Sequence, residues 1–268
     1  MKKIVIVTSN SLRHKAFRVY LSNCKGIKVL QTISEKKNNV KDKLKKSLNN
    51  NLQEHLKNRD QVEEDFFGLY LKTTKDNSKN LYKNYNYSSS KVFLENIKRL
   101  KPNLIVVYGS SLIKGEILNL YKNRILNVHL GLSPYYKGSA TNYFTLVNKK
   151  PEYLGATFMF LDKTIDGGKI IHQIRPKINP KDNAHQIGTR LILEMFELYK
   201  KIILNFDKIK IKKIKSKIKS KFYKKADFTL SSLKKHDLNF KKSMIKNYLN
   251  KKKKRDSKVT LIKQSWIK

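Results

Sequence analysis

The chain has 268 residues, of which 39% are hydrophobic and 30% are charged, so it can bury a core and is not disordered as a whole. Cys24 is the only cysteine, which excludes a disulfide-stabilised scaffold and is typical of a reducing compartment. Sixty Lys and Arg residues against 20 Asp and Glu residues give a formal net charge of +40, which alone would favour a polyanionic partner such as nucleic acid.

The kind of basic residue weakens the case for a nucleic-acid partner. Only eight of the 60 are arginine, the residue preferred for bidentate contacts with phosphates and bases. Lys, Asn and Ile are all abundant, and AT-rich codons encode all three, so a low-GC genome accounts for most of the charge. Some attraction to phosphate remains, because the electrostatic field exists whatever its origin.

No apolar run in the sequence is long enough to span a membrane. The longest runs, Ile4–Val7 and Leu104–Tyr108, are far shorter than the roughly 18 residues that a spanning helix needs. Polar residues 8–10 interrupt the first run too early for a secretion signal. We therefore expect a cytoplasmic protein; its oligomeric state is left open, a homodimer included.

The N-terminal segments alternate between strand and helix patterns. Residues 3–7 form a continuous β-branched run, and the polar residues 8–11 are typical of a turn and a helix N-cap. Apolar residues then recur at helical spacing as far as Leu21, and residues 27–33 have the pattern of a second strand. This order predicts an α/β fold with a parallel sheet.

The middle of the chain continues this alternation. Leu104–Tyr108 predicts a central strand that is buried on both faces. Residues 35–60 are rich in Lys and Asn, which predicts an exposed helical excursion or a loop. The other predicted elements are a helix over 61–72, a loop over 74–90, a helix that ends before Pro102, a helix over 113–120, a strand over 124–130, a loop over 131–139, a helix over 140–148, strands over 154–161 and 168–174, and a helix over 183–204.

The last part of the chain differs in composition. Twelve lysines and a single acidic residue, Asp207, lie between Lys200 and Lys225, which predicts an extended, partly solvated basic arm followed by a short helical tail. We therefore divide the chain into a main α/β domain over 1–205 and a Lys-rich extension over 206–268.

Two polar side chains near the end of the strand over 124–130 are suited to act on a carbonyl group. Asn127 and His129 are two residues apart, so they lie on one face of the strand. The amide can donate a hydrogen bond to a developing oxyanion, and the imidazole can donate to it or carry a proton. Taken alone, the pair is explained better as a turn cap beside a structural histidine.

Asp166 adds a carboxylate to this pair. It precedes Gly167 and Gly168 between two predicted strands, which is also the sequence of an ordinary turn. In a sheet whose loops gather at one edge, the carboxylate would reach His129, orient its ring and offset a positive charge there.

Five segments together resemble the folate-dependent formyltransferases, a family that includes methionyl-tRNA, glycinamide-ribonucleotide and nucleotide-sugar N-formyltransferases. The segments are Leu104–Leu118, Asn127–His129, Ser133–Gly138, Gly155–Thr157 and Asp166–Gly168, and the likeness extends over residues 95–205. The resemblance implies a Rossmann-like, mostly parallel sheet, 10-formyltetrahydrofolate as formyl donor and a primary amine as acceptor. It requires no metal, and the sequence has no Cys/His cluster to bind one.

The resemblance also implies a role for individual residues. Asn127, His129 and Asp166 would be the catalytic set that acts on the formyl carbonyl. The pterin of the donor would lie against the segment after the central strand, held largely by backbone groups of Tyr108, Gly109, Ser110, Ser111, Leu112 and Ile113. Residues 1–205 would then be the catalytic domain, and residues 206–268 a small basic extension.

Four other residues are candidates for acceptor binding. Arg13 and His14 begin the first predicted helix, where cations suit a substrate phosphate, although a solvated first turn explains them equally well. Tyr135 and Tyr136 can stack on a base or a sugar, or pack in the core.

Two departures from the family bear on the acceptor. The usual Pro-Ser-Leu-Leu-Pro after the histidine is replaced by Leu130–Pro134, a variant closer to formyltransferase-like proteins of surface-sugar pathways. The tRNA enzymes add a C-terminal β-barrel, whereas residues 206–268 show few hairpin signals. We therefore expect a small-molecule amine, on an amino sugar linked to a nucleotide. The alternatives are methionyl-tRNA and a non-catalytic, nucleic-acid-binding α/β protein.

Overall fold

A seven-stranded sheet forms the centre of the computed structural model, which describes residues 1–36, 50–212, 214 and 219–267. The strands in these residues are β1 (Lys2–Ser9), β2 (Ile27–Glu35), β3 (Asn80–Lys83), β4 (Leu104–Tyr108), β5 (Ile125–His129), β6 (Tyr136–Gly138), β7 (Ala156–Phe160), β8 (Ile170–Ile174) and β9 (Lys221–Tyr223). The helices are α1 (Leu12–Ser22), α2 (Asn50–Thr73), α3 (Lys91–Leu100), α4 (Ile117–Leu120), α5 (Thr141–Val147), α6 (Ala184–Leu204), α7 (Leu230–Lys241), α8 (Met244–Asn250) and α9 (Lys252–Asp256).

The order of strands in the sheet is β3-β2-β1-β4-β5-β7-β8, and the first five are parallel. Ile4–Val7 is fully buried because helices cover both faces of the sheet. Alternate residues of β1 pack against Phe17 of α1 on one face and Phe93 of α3 on the other. The predicted α/β class, the mostly parallel sheet and the central position of Leu104–Tyr108 are confirmed.

The direction of β7 decides how Asp166 reaches β5. The two strands are antiparallel, with Thr157 opposite His129 and Phe160 opposite Leu126. β7 therefore ends beside the start of β5, and residues 161–169 must return along the sheet to bring Asp166 back to His129. The sequence prediction placed this carboxylate near His129 but did not foresee the returning path.

The residues after α6 pack on the sheet domain. β9 pairs with β6 in parallel, and the backbone N–H of Gln173 on β8 donates to the carbonyl of Ile262 at 2.8 Å. The side chain of Gln264 donates to the carbonyl of Ile171 at 2.8 Å, and Trp266 packs against the main core. The predicted helical tail corresponds to α7, α8 and α9.

Several predicted boundaries were wrong. Residues 50–60 belong to α2, and Leu52 and Leu56 are buried, because the apolar residues of this Lys- and Asn-rich stretch recur at helical spacing. The helix over 113–120 is restricted to α4, and the loops over 74–90 and 131–139 contain the short strands β3 and β6. Residues 37–49 lie outside the described residues. Within the described ranges, no helix combines the length and the apolar character needed to cross a bilayer.

Candidate active site

His129 is the last residue of β5 and is 8% exposed. Both of its ring nitrogens face acceptors, since Nδ1 lies 3.3 Å from Oδ1 of Asp166 and Nε2 lies 3.1 Å from the carbonyl oxygen of Tyr136. A carbonyl oxygen only accepts, so Nε2 carries a proton in this arrangement. Nδ1 is therefore the nitrogen at which the ring can gain a second proton.

The carboxylate of Asp166 contacts both His129 and the backbone of β6. One carboxylate oxygen faces His129, and the other accepts a hydrogen bond from the backbone N–H of Gly138 at 2.8 Å. Its backbone has a φ of 49°, in the left-handed region that Asp tolerates better than most residues. The carboxylate thereby orients the imidazole relative to β6.

The pKa of His129 is under opposing influences. Burial lowers the pKa, because a charged ring is poorly solvated there, and the nearby Lys137 ammonium also lowers it. Asp166 and the carbonyl of Tyr136 raise the pKa by favouring the protonated ring, but burial is the larger effect. The ring is therefore neutral at neutral pH and lies beside a carboxylate that stabilises a proton once it arrives.

Asn127 lies on the same face of β5 as His129, as alternation along a strand requires. Its side chain is half-buried and makes no hydrogen bond to any residue in the described ranges. By contrast, Nε2 of His129 already faces the carbonyl of Tyr136. The amide of Asn127 is therefore available to donate to a carbonyl oxygen that enters the site.

Gly131 leaves the space that the ring of His129 occupies. A Cβ atom at this position would lie 2.5 Å from Nε2 of His129 and would also meet the hydroxyl of Thr141. β7 and β8 fix the loop around it, since Thr157 donates to the carbonyl of Gly131 at 2.6 Å and Gln173 to that of Ser133 at 2.7 Å. The loop that departs from the usual family sequence therefore has glycine where a larger residue would displace the histidine.

The predicted donor segment follows β4 at the carboxyl end of the sheet. Gly109 has a φ of 69°, and a Cβ atom there would collide with the ring of His14, so the turn requires glycine. The backbone N–H groups of Leu112 and Ile113 have no hydrogen-bond partner among the described residues. Leu112 is 42% exposed and Ile113 is 2% exposed, so the N–H of Leu112 is the donor of this pair that the segment offers to a ligand.

The other donor-site candidates contribute differently. The ring of Tyr108 is buried and packs against His14, with ring centroids 4.6 Å apart, so this residue offers its backbone only. The Ser110 hydroxyl donates to the carbonyl of Ser111, and the backbone N–H of Ser111 donates to Glu35. These contacts shape the segment and leave its outer part open.

Arg13 and His14 interact with the protein itself rather than forming an open cationic site. Arg13 forms an ion pair with Glu63 of α2, which is 3% exposed. His14 is 1% exposed, and its Nδ1 lies within hydrogen-bond distance of the hydroxyl of Ser11. The prediction that this pair binds a substrate phosphate is corrected, because partners distant in sequence neutralise the arginine and bury the histidine.

Tyr135 and Tyr136 are also buried, at 3% exposure each. The hydroxyl of Tyr135 donates to the carbonyl of Thr260 at 3.0 Å, and the ring of Tyr136 stacks on that of Tyr223 at 6.0 Å. Their rings are not available to stack on a substrate, so this prediction is corrected in favour of packing. Tyr136 nevertheless belongs to the site through its carbonyl oxygen.

Sequence reasoning missed three contributions to the site. The Oγ1 atom of Thr141 lies 3.3 Å from Nε2 of His129, and Lys137 acts on the pKa of the ring. The backbone N–H of Gly138 holds Asp166. Lys137 and Gly138 stood in a segment already singled out by resemblance, whereas nothing in the sequence marked Thr141.

A second group of histidines lies between α2, α6 and α7. The rings of His55 and His185 are 4.5 Å apart and those of His55 and His236 are 5.8 Å apart. Burial lowers the pKa of His55 to about 4 and that of His185 to about 3, so both are neutral at neutral pH. Among residues 1–36, 50–212, 214 and 219–267, no group of three His, Cys, Asp or Glu residues is arranged to bind a metal ion.

Residues 1–203 match the family model for formyl transferases, a span that includes the strands β1 to β8 and nearly all of α6. The chain belongs to the formyl transferase family. The matched part of the chain contains His129, Asp166 and the segment after β4, and it ends just before the basic extension.

Curated relatives of this chain include methionyl-tRNA formyltransferases. It is 37% identical to that of Desulforamulus reducens over 115 residues, which are 40% of this chain and 36% of that protein. It is 35% identical to that of Thermodesulfovibrio yellowstonii over 120 residues, or 44% of this chain and 37% of that protein. The matches therefore span little more than a third of the length of these relatives.

Solved structures with the same fold have different acceptors in their descriptions. A sugar N-formyltransferase from a Shewanella species superposes with a TM-score of 0.57 at 18% identity, covering 88% of each chain. A 4-N formyltransferase from Francisella tularensis gives 0.55 at 21% identity, covering 85% of this chain and 78% of that one. Glycinamide ribonucleotide transformylase 1 from Symbiobacterium toebii gives 0.54 at 19% identity, covering 80% and 95%. These likenesses establish the fold.

Proposed function

We propose that this protein is an N-formyltransferase that transfers the formyl group of 10-formyltetrahydrofolate to a primary amine, and that the amine belongs to an amino sugar linked to a nucleotide. One observation carries the proposal. Asp166 meets the buried ring of His129 beside a half-buried amide, that of Asn127, which is available to donate a hydrogen bond. These are the groups that acyl transfer to nitrogen requires.

The residues of the site divide the chemistry between them. When bound, the donor supplies a formyl group on a nitrogen leaving group. Asn127 donates to the formyl oxygen as it becomes negative during attack by the amine. Removing one such donor costs about 2.7–4 kcal/mol of transition-state stabilisation in comparable enzymes.

The attacking amine must also lose a proton. The Nδ1 of His129 and the Oδ1 of Asp166, 3.3 Å apart, are the atoms between which this chain can hold that proton. Burial keeps the pKa of His129 low enough for the ring to begin neutral, and the carboxylate stabilises the imidazolium that results. The positive ring then adds to the field that favours the oxyanion, and it can return the proton to the nitrogen that leaves the formyl carbon, which restores the neutral ring.

The segment after β4 suits the pterin of the donor. The N–H of Leu112 is free of partners within the described residues, and this residue, which is 42% exposed, also offers an apolar surface. A planar heterocycle with ring nitrogen and carbonyl acceptors fits such a backbone donor. Gly109, Ser110 and Ser111 would set the path of this segment.

An amino sugar is the acceptor that the chain supports best. The described residues after α6 form three helices and the three-residue strand β9, which pack on the sheet domain. The loop Leu130–Pro134 has the variant form associated with sugar pathways. Methionyl-tRNA is the second candidate, because the curated relatives are methionyl-tRNA formyltransferases and the net charge of +40 attracts polyanions.

The test is to incubate the protein with 10-formyltetrahydrofolate and a panel of 3-amino and 4-amino nucleotide sugars, with methionyl-tRNA in parallel, and to score the mass gain of one formyl group. We expect a formylated nucleotide sugar, with a rate that falls only slightly with salt. Formylation of methionyl-tRNA alone, with a steep salt dependence, would transfer the assignment to tRNA. No formylated product with any acceptor would contradict the enzymatic function and favour a binding protein.

A further inference from the structure

Glu35, the last residue of β2, is 1% exposed and connects three segments of the chain. Its Oε1 atom accepts a hydrogen bond from the backbone N–H of Ser88 at 2.8 Å, and its Oε2 atom accepts one from the backbone N–H of Ser111 at 2.7 Å. No Lys, Arg or His in the described part of the chain forms an ion pair with it. Two backbone amides are thus the partners that the structure gives to this carboxylate.

A buried carboxylate of this kind is costly unless its hydrogen bonds are well formed. The bonds of Glu35 go to the middle of the segment after β4 and to the turn Tyr87–Ser89 that lies beside it. Further contacts join the same two pieces, since the Ser89 hydroxyl donates to the carbonyl of Leu112 at 2.8 Å and accepts from the N–H of Lys114 at 3.0 Å. Glu35 and Ser89 therefore fix the backbone of the segment at residues 111, 112 and 114.

This support determines which backbone groups of the segment remain open. Glu35 accepts from the N–H of Ser111 and so fixes the path of the backbone at that residue. The N–H groups of the next two residues, Leu112 and Ile113, have no partner in the described residues. We infer that Glu35 is a positioning residue that sets the folate-donor segment in the conformation that binds the pterin. The inference rests on the proposed function.

The variant Glu35→Gln tests it. An amide in place of the carboxylate presents an NH2 group to one of the two backbone N–H donors, so one hydrogen bond is lost and the segment can shift. We expect the Kd for tetrahydrofolate, measured by calorimetry, and the KM for 10-formyltetrahydrofolate to rise at least about ten-fold. The KM for the amine should stay within about two-fold, which a general loss of structure would not produce.

Asp182→Asn is the matched control. Its carboxylate is also nearly buried and accepts a backbone N–H, from Asn179 at 2.6 Å, but unlike Glu35 it is also paired with Arg190, and it lies between β8 and α6, away from the segment after β4. This variant should lower Tm without changing the Kd for tetrahydrofolate. Ser89→Ala removes the bond to Leu112 from an exposed position and should weaken folate binding a few-fold, so it decides the matter if Glu35→Gln does not fold.

The outcomes separate this inference from the proposed function. If the wild type binds tetrahydrofolate and transfers formyl groups, but Glu35→Gln binds folate as the wild type does or loses both substrates equally, the positioning role is overturned. If the wild type neither binds tetrahydrofolate nor transfers formyl groups, the proposed function itself fails and the inference fails with it.

Discussion

Two groups of polar side chains lie at the carboxyl ends of the parallel strands, one at the start of α1 and one at the end of β5. At α1, Arg13 is paired with the buried Glu63, and His14 is packed against Tyr108. At β5, Asp166 meets His129, but the amide of Asn127 has no partner in the described residues. In the first group Arg13 is paired through Nη1 and its Nε is buried without a partner, whereas in the second group the whole amide of the half-buried Asn127 is unpaired within the described residues.

This difference separates a structural cluster from a reactive one. In the sequence analysis both groups were candidates because each lies where a strand ends, the first for binding a substrate phosphate and the second for catalysis. Within the described residues, the β5 group combines a half-buried, unpaired amide with a neutral ring beside a carboxylate, whereas the unpaired Nε of Arg13 is buried next to the ion pair with Glu63. Substitutions at β5 should therefore change turnover, and substitutions at α1 should change stability.

His129→Ala should have the largest effect on turnover. It removes the proton acceptor and the positive ring that forms during the reaction, so kcat for the acceptor identified in the panel should fall by about 10³-fold or more. Thermal unfolding should show the fold retained. If His129→Ala turned over like the wild type, the β5 group would not be the reactive one, and it would not differ in function from the group at α1.

Gly131→Ala should have the second-largest effect on turnover, although it alters no catalytic group. The added methyl lies 2.5 Å from Nε2 of His129, so the ring must leave its present position between Asp166 and the carbonyl of Tyr136, and kcat should fall on the order of 10²-fold. Gly188→Ala is the control, because no atom lies within 4 Å of its added methyl. An equal loss in both variants would mean that the glycine effect is unrelated to the ring.

The pH dependence of the unfolding free energy should reveal the buried histidines between α2 and α6. Burial holds the pKa of His55 at about 4 and that of His185 at about 3, below the ordinary value. The unfolded chain therefore binds protons that the folded chain does not, and the free energy of unfolding should fall as pH drops below about 6.5. Unfolding measured from pH 7 to about pH 5 checks this, and His185→Gln should flatten the decline. An unchanged slope would show that these rings do not titrate as described.

Arg13→Ala should have the smallest effect on turnover and a large effect on stability. It leaves Glu63 buried, with Arg59 at 3.8 Å as a remaining basic neighbour, which should cost about 3 kcal/mol of unfolding free energy. Denaturant unfolding measures that loss, and kcat should stay within about three-fold. A stable variant with a strongly raised KM for the acceptor would instead restore Arg13 as a phosphate ligand.

The main architecture could be predicted from sequence because its signals are local. Leu104–Tyr108 and Ile4–Val7 are continuous apolar runs, and parallel strands covered on both faces have that pattern. Asn127, His129 and Asp166 could be singled out because a family resemblance added to their spacing. For residues 50–60 the sequence predicted an exposed helix or a loop, and the burial of one face of the helix was missed because a Lys- and Asn-rich composition concealed Leu52 and Leu56.

The rest of the site could not be predicted because it depends on distant partners and on the backbone. Glu63, which neutralises Arg13, lies 50 residues away in the chain, so no local pattern reveals the ion pair. The carbonyl of Tyr136 and the N–H of Gly138 carry no side-chain signal at all. The path of residues 161–169 back to His129 follows from the antiparallel register of β7, which only the structure supplies.

The most direct test of the account is the turnover of Asn127→Ala measured beside its thermal stability. Because this side chain makes no hydrogen bond to the described residues, its removal should leave Tm nearly unchanged. The account predicts that kcat for formyl transfer falls about 10²- to 10³-fold in the folded variant. Formyl transfer at the wild-type rate by folded Asn127→Ala would contradict it.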